Sequence, residues 1–449
     1  MKDIREEERP AAVAEMSKQA GDAHVRKKWK WVEPSIWTDR MLTALEEGVK
    51  GGKWFALMDK VYSGRNLEAA WAKVRANKGA AGVDHQSIEA FEANRERYLE
   101  ELEMRLREDR YEAEPVKREW IPKRGGKEKR PLGIPVVRDR IVQTASRNVL
   151  EPIFEKTFAE QSYGFRPGRG CKDALRRVDT MLRAGRRWVV DADIRSYFDS
   201  IPHDKLMEEV EEHVADGRVL RLIEGYLKQG VINGLDLWKP EKGTPQGAVI
   251  SPLLANIYLN KIDHAMSGSG YEMVRYADDF VILCFTEEEA KRALDEVKAR
   301  IEDRGLTLHS EKTRIVDASI RGGFDFLGYH FERNTRWPCK KSMDKLKDTI
   351  RRKTKRTSGQ SIAYIIDNLN RSLRGWFEYF RHSQKSVFQK TDGWIRMRLR
   401  SILRKRHGRK GRGRGFDHLR WPNAYFGNLG LFTLTTAHES ARQSRCGNH

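Results

Sequence analysis

Two adjacent acids interrupt an otherwise apolar stretch near the middle of the chain. Met273-Val274 and Val281-Ile282-Leu283 flank Arg275-Tyr276-Ala277-Asp278-Asp279-Phe280. Short apolar runs broken at an Ala-Asp-Asp turn predict two buried strands between Val274 and Phe285. A carboxylate pair at the tip of a buried hairpin is costly to desolvate unless a partner neutralises it. Mg²⁺ suits that role, because it takes few protein carboxylates and fills its other positions with phosphate oxygens and water. An ordinary Asp-containing turn would look the same in isolation.

A second acid separates the two readings. Trp188-Val189-Val190-Asp191-Ala192-Asp193-Ile194 predicts a strand, and Asp193 near its end precedes Tyr197-Phe198-Asp199. A strand-borne Asp with a hairpin Asp pair is the arrangement that two-metal phosphoryl transfer needs. One ion activates a primer 3′-hydroxyl and the other holds the triphosphate and leaving group. Asp191 and Asp199 compete for the same role. Asp191 shares a strand face with Asp193 by the two-residue period.

The distribution of charge points to the partner. From Arg336 to His449 there are 28 Lys and Arg against 7 Asp and Glu, which accounts for the whole net charge of +21; residues 1–335 carry 58 of each. Such asymmetry predicts a polyanion gripped by a C-terminal module. Trp376, Trp394 and Trp421 interleave the basic residues, which argues against a disordered tail. The four cysteines, Cys171, Cys284, Cys339 and Cys446, form no C-x-x-C pair, so no zinc module is readable. No apolar run is long enough for a membrane span, and the charged N-terminus lacks a signal-peptide core. A bacterial cytoplasmic setting is the default expectation.

Between these landmarks the chain alternates helical and extended patterns. Residues 61–115 read as helices around Asn77-Lys78-Gly79-Ala80-Ala81-Gly82-Val83-Asp84, with Leu99, Leu102 and Leu106 as core. Two extended runs around Gly125-Gly126 predict a hairpin with a basic tip. Ile141, Ala145, Val149 and Leu150 mark a helix. Ser251 to Ala265 and Glu287 to Glu302 mark two more. This mixture predicts an α+β palm rather than a doubly wound sheet. Ile362 to Leu403 is helical, with Leu369, Leu373, Trp376, Phe377 and Phe380 in register. Arg404 to Gly415 is rich in Arg and Gly and is expected to be mobile when unbound, its charge suiting phosphate contacts.

Six ordered blocks carry a resemblance to the reverse transcriptases of bacterial group II introns. They are Arg130-Pro131-Leu132-Gly133-Ile134-Pro135, Ser162-Tyr163-Gly164-Phe165-Arg166-Pro167-Gly168-Arg169, Gly243-Thr244-Pro245-Gln246-Gly247, Ser251-Pro252-Leu253-Leu254-Ala255-Asn256-Ile257-Tyr258-Leu259, Tyr276-Ala277-Asp278-Asp279 and Phe326-Leu327-Gly328-Tyr329. The resemblance spans roughly residues 65–400, and the order is that of the family. Ala248 stands where many relatives have Gly. The paired cysteines and histidines of the nuclease domain in some relatives are not readable, which resembles the compact, endonuclease-less branch.

The resemblance implies a right-hand polymerase with fingers, palm and thumb, and a helical basic C-terminal maturase and DNA-binding region. Its expected parts are an N-terminal extension (1–60), fingers and palm (61–335), a thumb/maturase region (336–403) and a basic nucleic-acid-binding segment (404–449). It implies that Asp193, Asp278 and Asp279 hold two Mg²⁺ ions, with the Ile194 carbonyl as a further ligand. Lys123, Arg130, Phe198, Gln246 and Lys312 would bind the dNTP, Phe198 by excluding a ribose 2′-hydroxyl and Lys312 near the leaving pyrophosphate. Phe326, Leu327 and Gly328 resemble the primer grip. Arg166, Arg169, Arg374, Arg381, Arg396, Arg398 and Arg400 are candidate nucleic-acid contacts. The implied partners are an RNA template, group II intron RNA, a DNA primer or target, and dNTPs. Two rivals stand beside this reading: a reverse transcriptase of defence, repair or diversification, and a splicing cofactor that binds RNA without polymerising.

Overall fold

The computed structural model describes residues 23–122, 129–234 and 236–446. Its strands are β1 (Val116–Pro122), β2 (Lys129–Ile134), β3 (Trp188–Asp193), β4 (Val231–Asn233), β5 (Asp236–Trp238), β6 (Glu272–Tyr276), β7 (Asp279–Cys284), β8 (Arg314–Asp317), β9 (Phe324–Phe326), β10 (Tyr329–Glu332) and β11 (Thr335–Pro338). They form three sheets, ordered β2-β1-β4-β5, β6-β7-β3-β8 and β11-β10-β9. Chain contacts divide the protein into two compact units. Of the described residues, one unit comprises those within 1–174, 190–284 and 288–314, and the other those within 175–189, 285–287 and 315–449. The expected borders at 60 and 403 fall inside these units.

In the first unit the expected hairpin is present, with Ile121 opposite Arg130 and Pro122 opposite Lys129. Its tip lies outside the described residues, and Lys123 with it. β4 extends the hairpin in parallel, with Val116 opposite Val231. The helix Val137–Glu155 is buried on nearly every face, so its polar side chains must find partners inside. Asp139 accepts from the Tyr111 hydroxyl at 2.6 Å, the Glu114 amide at 3.0 Å and Gln229 Nε2 at 2.9 Å. Gln143 Oε1 accepts from the Val249 amide at 2.8 Å. Residues expected as an N-terminal extension pack on the same helix, where Trp37 Nε1 donates to the Asn148 carbonyl at 3.0 Å. This helix therefore ties the N-terminal helices, the segment before β4 and the loop before Ser251 into one body.

The palm sheet follows the sequence closely. β6 and β7 pair antiparallel with Tyr276 opposite Asp279, and β7 is apolar and buried from Phe280 to Cys284. The helix Ser251–Gly268 covers β6, with Pro252 in its first turn, where the missing N–H costs nothing. The helix Glu287–Asp303 buries Ala290, Ala293, Val297 and Ile301 at helical spacing.

In the second unit β9, β10 and β11 form an antiparallel sheet, with Phe331 opposite both Phe324 and Arg336. The helices Lys340–Lys353, Ile362–Phe380 and Lys385–Arg406 build one core with the final segments. Leu369, Leu373, Phe377, Ile395, Leu399 and Ile402 meet Trp421, Phe426 and Leu434 there. Buried Asp392 caps the helix Leu434–Cys446 from outside, accepting from the Leu434 and Thr435 amides at 3.0 and 2.9 Å. The Arg/Gly segment starts within a helix. That helix runs to Arg406, and the remainder folds back so that the Gly413 amide donates to Ser401 Oγ at 2.9 Å. A Cβ at Gly413 would sit 2.4 Å from Arg400 Cβ. The glycine that opposes helix here permits a close return of the chain. Among the described residues, no helix is long and apolar enough to cross a membrane.

Candidate active site

The acid turn is shaped from below. Ala277 adopts φ +60°, which lets the chain reverse between β6 and β7. Arg275 donates to the Ala277 carbonyl at 2.9 Å, to Asn256 Oδ1 at 3.0 Å and to Ser162 Oγ at 2.8 Å. Its remaining donors clasp Asp263. The Ser162-Tyr163-Gly164 segment runs beside β6, with the Tyr163 amide donating to the Arg275 carbonyl at 2.9 Å. Gly164 lies directly under the turn: a Cβ there would stand 2.3 Å from the Ala277 nitrogen. Asn256 Nδ2 donates to the Gly164 carbonyl at 2.8 Å. Arg275, Asp263, Asn256 and Gly164 were not singled out for a role in the sequence. Their signal was there, since Asn256 and Asp263 are polar residues two turns apart among the mostly apolar buried positions of this helix.

The acids converge on this turn. Asp278 and Asp279 are half-buried, as are Asp191 and Asp193 on β3. Burial, then Asp191, Asp278 and Asp193, push the Asp279 carboxyl up to about 7. Burial also raises Asp278, with Asp193 contributing. Asp191 thus lies within electrostatic reach of Asp279, alongside Asp278 and Asp193. Asp199 lies apart on the short helix Tyr197–Ser200, exposed, its Oδ2 3.5 Å from Gln246 Nε2.

Two cations offset the acids. Lys312 Nζ is 2.5 Å from Asp193 Oδ2, and Arg314 Nε is 3.2 Å from Asp191 Oδ2. The Lys312 loop is set by the backbone of β3, because the His309 amide donates to the Asp193 carbonyl at 2.8 Å and the Lys312 amide donates to the His309 carbonyl at 3.1 Å. Among the described residues, no three His, Cys, Asp or Glu side chains already close around one ion-sized point. The donor set nonetheless fits a divalent cation. Several carboxylates are held together against their own repulsion, all are hard oxygen donors, and one sits in contact with a lysine ammonium.

Other expected residues are placed as follows. Ile194 is buried and bridges Leu308. Half-buried Phe198 stands in an aromatic group, with ring centroids 5.6 Å from Tyr197 and 6.4 Å from Phe165. Gln246 is half-buried, its carbonyl accepting from the Gly133 amide at 2.6 Å, which fastens the Pro-Gln-Gly turn to β2. Arg130 is exposed on β2. In the second unit Phe326 is 1% exposed and belongs to the core. Leu327 and Gly328 form the tight turn after it, at φ +47° and +81°. Tyr379 and Ser342 hydroxyls hold their carbonyls at 2.7 and 3.0 Å.

The candidate nucleic-acid arginines divide. Arg166 is corrected: it is buried, bidentate with Glu155, and donates to the Ala159 and Ser162 carbonyls. Arg400 is corrected likewise. It is 2% exposed and donates to the Trp421 carbonyl and Asn423 Oδ1, both at 2.8 Å. Both guanidiniums are spent on the fold. Arg398 is largely spent too, on Thr354 Oγ1 at 2.6 Å and two carbonyls. Arg374 is exposed and Arg169, Arg381 and Arg396 are half-buried; Arg381 pairs with Glu378 at 3.5 Å.

Comparison with known proteins identifies the families that the chain resembles. Residues 121–331 match the family model of reverse transcriptase (RNA-dependent DNA polymerase), and residues 343–421 match the group II intron, maturase-specific domain. The chain is 33% identical over 346 residues to protein YkfC of Escherichia coli (strain K12), covering 68% of this chain and 86% of that protein. It is 37% identical over 196 residues to group II intron-encoded protein LtrA of Lactococcus lactis subsp. cremoris, covering 43% of this chain and 32% of LtrA. Among solved structures, a chain of a partial Cas6-RT-Cas1–Cas2 complex is 25% identical, covering 55% of this chain and 42% of that one at a TM-score of 0.35.

Proposed function

The chain belongs to the reverse transcriptase family that carries a group II intron maturase-specific domain, and from that premise we propose that it copies RNA into DNA with Asp193, Asp278 and Asp279 at the reacting centre. The observation that carries the reading is the half-buried setting of these acids on β3 and the β6–β7 turn, where burial first, and then Asp191, Asp278 and Asp193, push Asp279 up to about 7. Acids perturbed in this way cluster at functional sites.

Two Mg²⁺ ions, when bound, would supply charge neutralisation and activation of the primer 3′-oxygen. Asp193, Asp278 and Asp279 would hold them, with the Ile194 carbonyl as a further ligand. The 3′-oxygen of a DNA primer then bonds to the α-phosphorus of a dNTP, and pyrophosphate leaves. Lys312, now against Asp193, can turn its ammonium to the departing phosphates. Arg130 on β2, together with Lys123, which lies outside the described residues, holds the triphosphate, where guanidinium suits paired phosphate oxygens. Phe198 lies against the sugar and excludes a 2′-hydroxyl. Gln246, fastened to β2, bounds the template base. Leu327 and Gly328 offer a fixed backbone turn to the primer. The maturase-specific domain binds group II intron RNA and assists its splicing, with Arg374 and Arg396 as contacts.

The test is primer extension on an RNA template with dNTPs and Mg²⁺, run beside Asp278→Asn. The expected result is cDNA from the wild-type chain, none from the variant, and equal RNA binding by both. Absence of cDNA from folded, RNA-binding wild-type protein would leave the splicing cofactor as the function.

A further inference from the structure

Phe416 and Leu419 are 81% and 75% exposed, an unusual position for large apolar side chains in a surface so rich in charge. They lie on one face of a single turn, the Leu419 amide donating to the Phe416 carbonyl at 3.1 Å. That turn is pinned on three sides. Asp417, between them, is 1% exposed; it pairs with Arg404 at 2.8 Å and accepts from the Arg414 amide at 3.2 Å. Trp421 belongs to the core, and its carbonyl accepts from buried Arg400. Gly413 is pressed against the helix that carries Arg400 and Ser401. The two apolar side chains are therefore presented by a fixed support and cannot fold inward.

Their surroundings select the partner. From Arg404 to Arg420 there are eight Lys and Arg and one acid, and that acid, Asp417, is already taken by Arg404. Arg409, Lys410, Arg412, Arg414 and Arg420 are all exposed. A hollow of about 410 Å³ opens between Arg409, Phe416, Leu419 and Arg420. Apolar exposure alone would suit any apolar partner. The cationic rim repels basic proteins and attracts a polyanion. A nucleobase offers an apolar face directly beside phosphates, and its face is free only when the base is unpaired or terminal, since a duplex covers it on both sides.

We propose that Phe416 and Leu419 form a stacking platform for an unpaired nucleobase, while Arg409 and Arg420 hold the adjoining phosphates. The proposal goes beyond general binding by the basic region, because it assigns a preference for single-stranded or bulged sites to two side chains. It rests on the polymerase and maturase reading only for the nature of the partner. Stacking on an aromatic side chain tolerates any base, so the platform discriminates strandedness and not sequence.

The experiment compares the full-length wild-type chain with Phe416→Ala/Leu419→Ala on a single-stranded oligoribonucleotide and on a blunt RNA duplex of equal length. A 2-aminopurine in the single strand reports stacking directly. The double variant is expected to bind the single strand about tenfold more weakly with unchanged duplex affinity, an unchanged salt dependence and loss of the fluorescence change. Phe416→Trp, which keeps an aromatic face, retains both the single-strand affinity and the fluorescence change. Arg409→Gln/Arg420→Gln instead flattens the salt dependence on both probes. The same series on DNA oligonucleotides identifies the sugar the platform serves. Should the double variant aggregate, Phe416→Gln is read in the same way. Equal losses on both probes, or no loss on the single strand, overturn the platform. So does a change confined to self-association, which would assign the face to a second copy of the chain. A wild-type chain that synthesises no cDNA yet shows Phe416-dependent discrimination would refute the polymerase and keep the platform. Synthesis without discrimination would do the reverse.

Discussion

Arg275 clasps Asp263 with two parallel bonds, Nε to Oδ1 at 2.7 Å and Nη2 to Oδ2 at 2.5 Å, and neither side chain is more than 2% exposed. The remaining guanidinium donors hold Ser162, Asn256 and the Ala277 carbonyl. One buried ion pair thus joins the helix behind the palm sheet to the turn that presents the acids. Burial works against the charged guanidinium, and Asp263 more than offsets it, so Arg275 is raised.

Removing one partner of this pair should be costly. Asp263→Asn leaves the guanidinium buried without its counter-charge, a loss of about 3–5 kcal/mol. Arg275→Lys keeps the charge but loses the fork geometry and the bond to Ala277. Both variants should unfold at lower denaturant concentration. A midpoint unchanged in Asp263→Asn would deny the pair its role in the frame.

Gly164→Ala asks whether the support under the turn is as tight as it looks. The added methyl would meet the Ala277 nitrogen at 2.3 Å. Backbone must then shift, at about 1–3 kcal/mol for overpacking. The shift falls on Asp278 and Asp279, so primer extension should drop about a hundredfold, the scale of a small displacement at reacting groups, while RNA binding persists. Full activity in this variant would show that the turn has slack.

Asp279 should make stability depend on pH. The group titrates near 3.8 in an unfolded chain and at about 7 in the folded one. Between those values the folded chain binds more protons, so its stability falls as pH rises through the window. In EDTA, Asp279→Asn should therefore melt above wild type at about pH 8, and the gap should narrow toward about pH 4. Mg²⁺ at the higher pH should raise the wild-type midpoint more than that of the variant. A gap independent of pH and metal would place the repulsion elsewhere.

Phe198→Ala should relax sugar selection. The ring stands in the aromatic group with Tyr197 and Phe165. Its removal opens space where the proposed dNTP sugar lies. Ribonucleotide incorporation relative to dNTPs should rise at least about tenfold, the scale of a lost steric contact in a pocket, with dNTP use largely kept. Unchanged selection would remove Phe198 from the sugar site.

Much of the first unit could be read from local pattern. β6, β7 and the helices Ser251–Gly268 and Glu287–Asp303 lie where apolar period and turn residues put them, because each buries a face that the sequence already marks. The borders at 60 and 403 were less legible. They follow changes of composition, whereas the compact units follow contacts, and Trp37 and Trp421 both reach into cores formed by distant segments. The roles of Arg166 and Arg400 were illegible for a related reason. An arginine in a basic, aromatic segment looks the same whether it faces phosphate or a buried Glu155 or Trp421 carbonyl.

What the sequence determined by itself is the chemistry of the hairpin: two acids that cannot stand in an apolar run without a charged partner, a third acid on a strand, and a polyanion-binding end. Those follow from residue type and spacing, which are local. What only the tertiary structure decided is which charges are available. Lys312 reaches Asp193 because a loop more than a hundred residues away is pinned to the backbone of β3. Arg166 and Arg400 are withdrawn from solvent while Phe416 and Leu419 are pushed into it. Burial is a property of the packed chain, and it sets both the cost of a charge and the reach of a side chain.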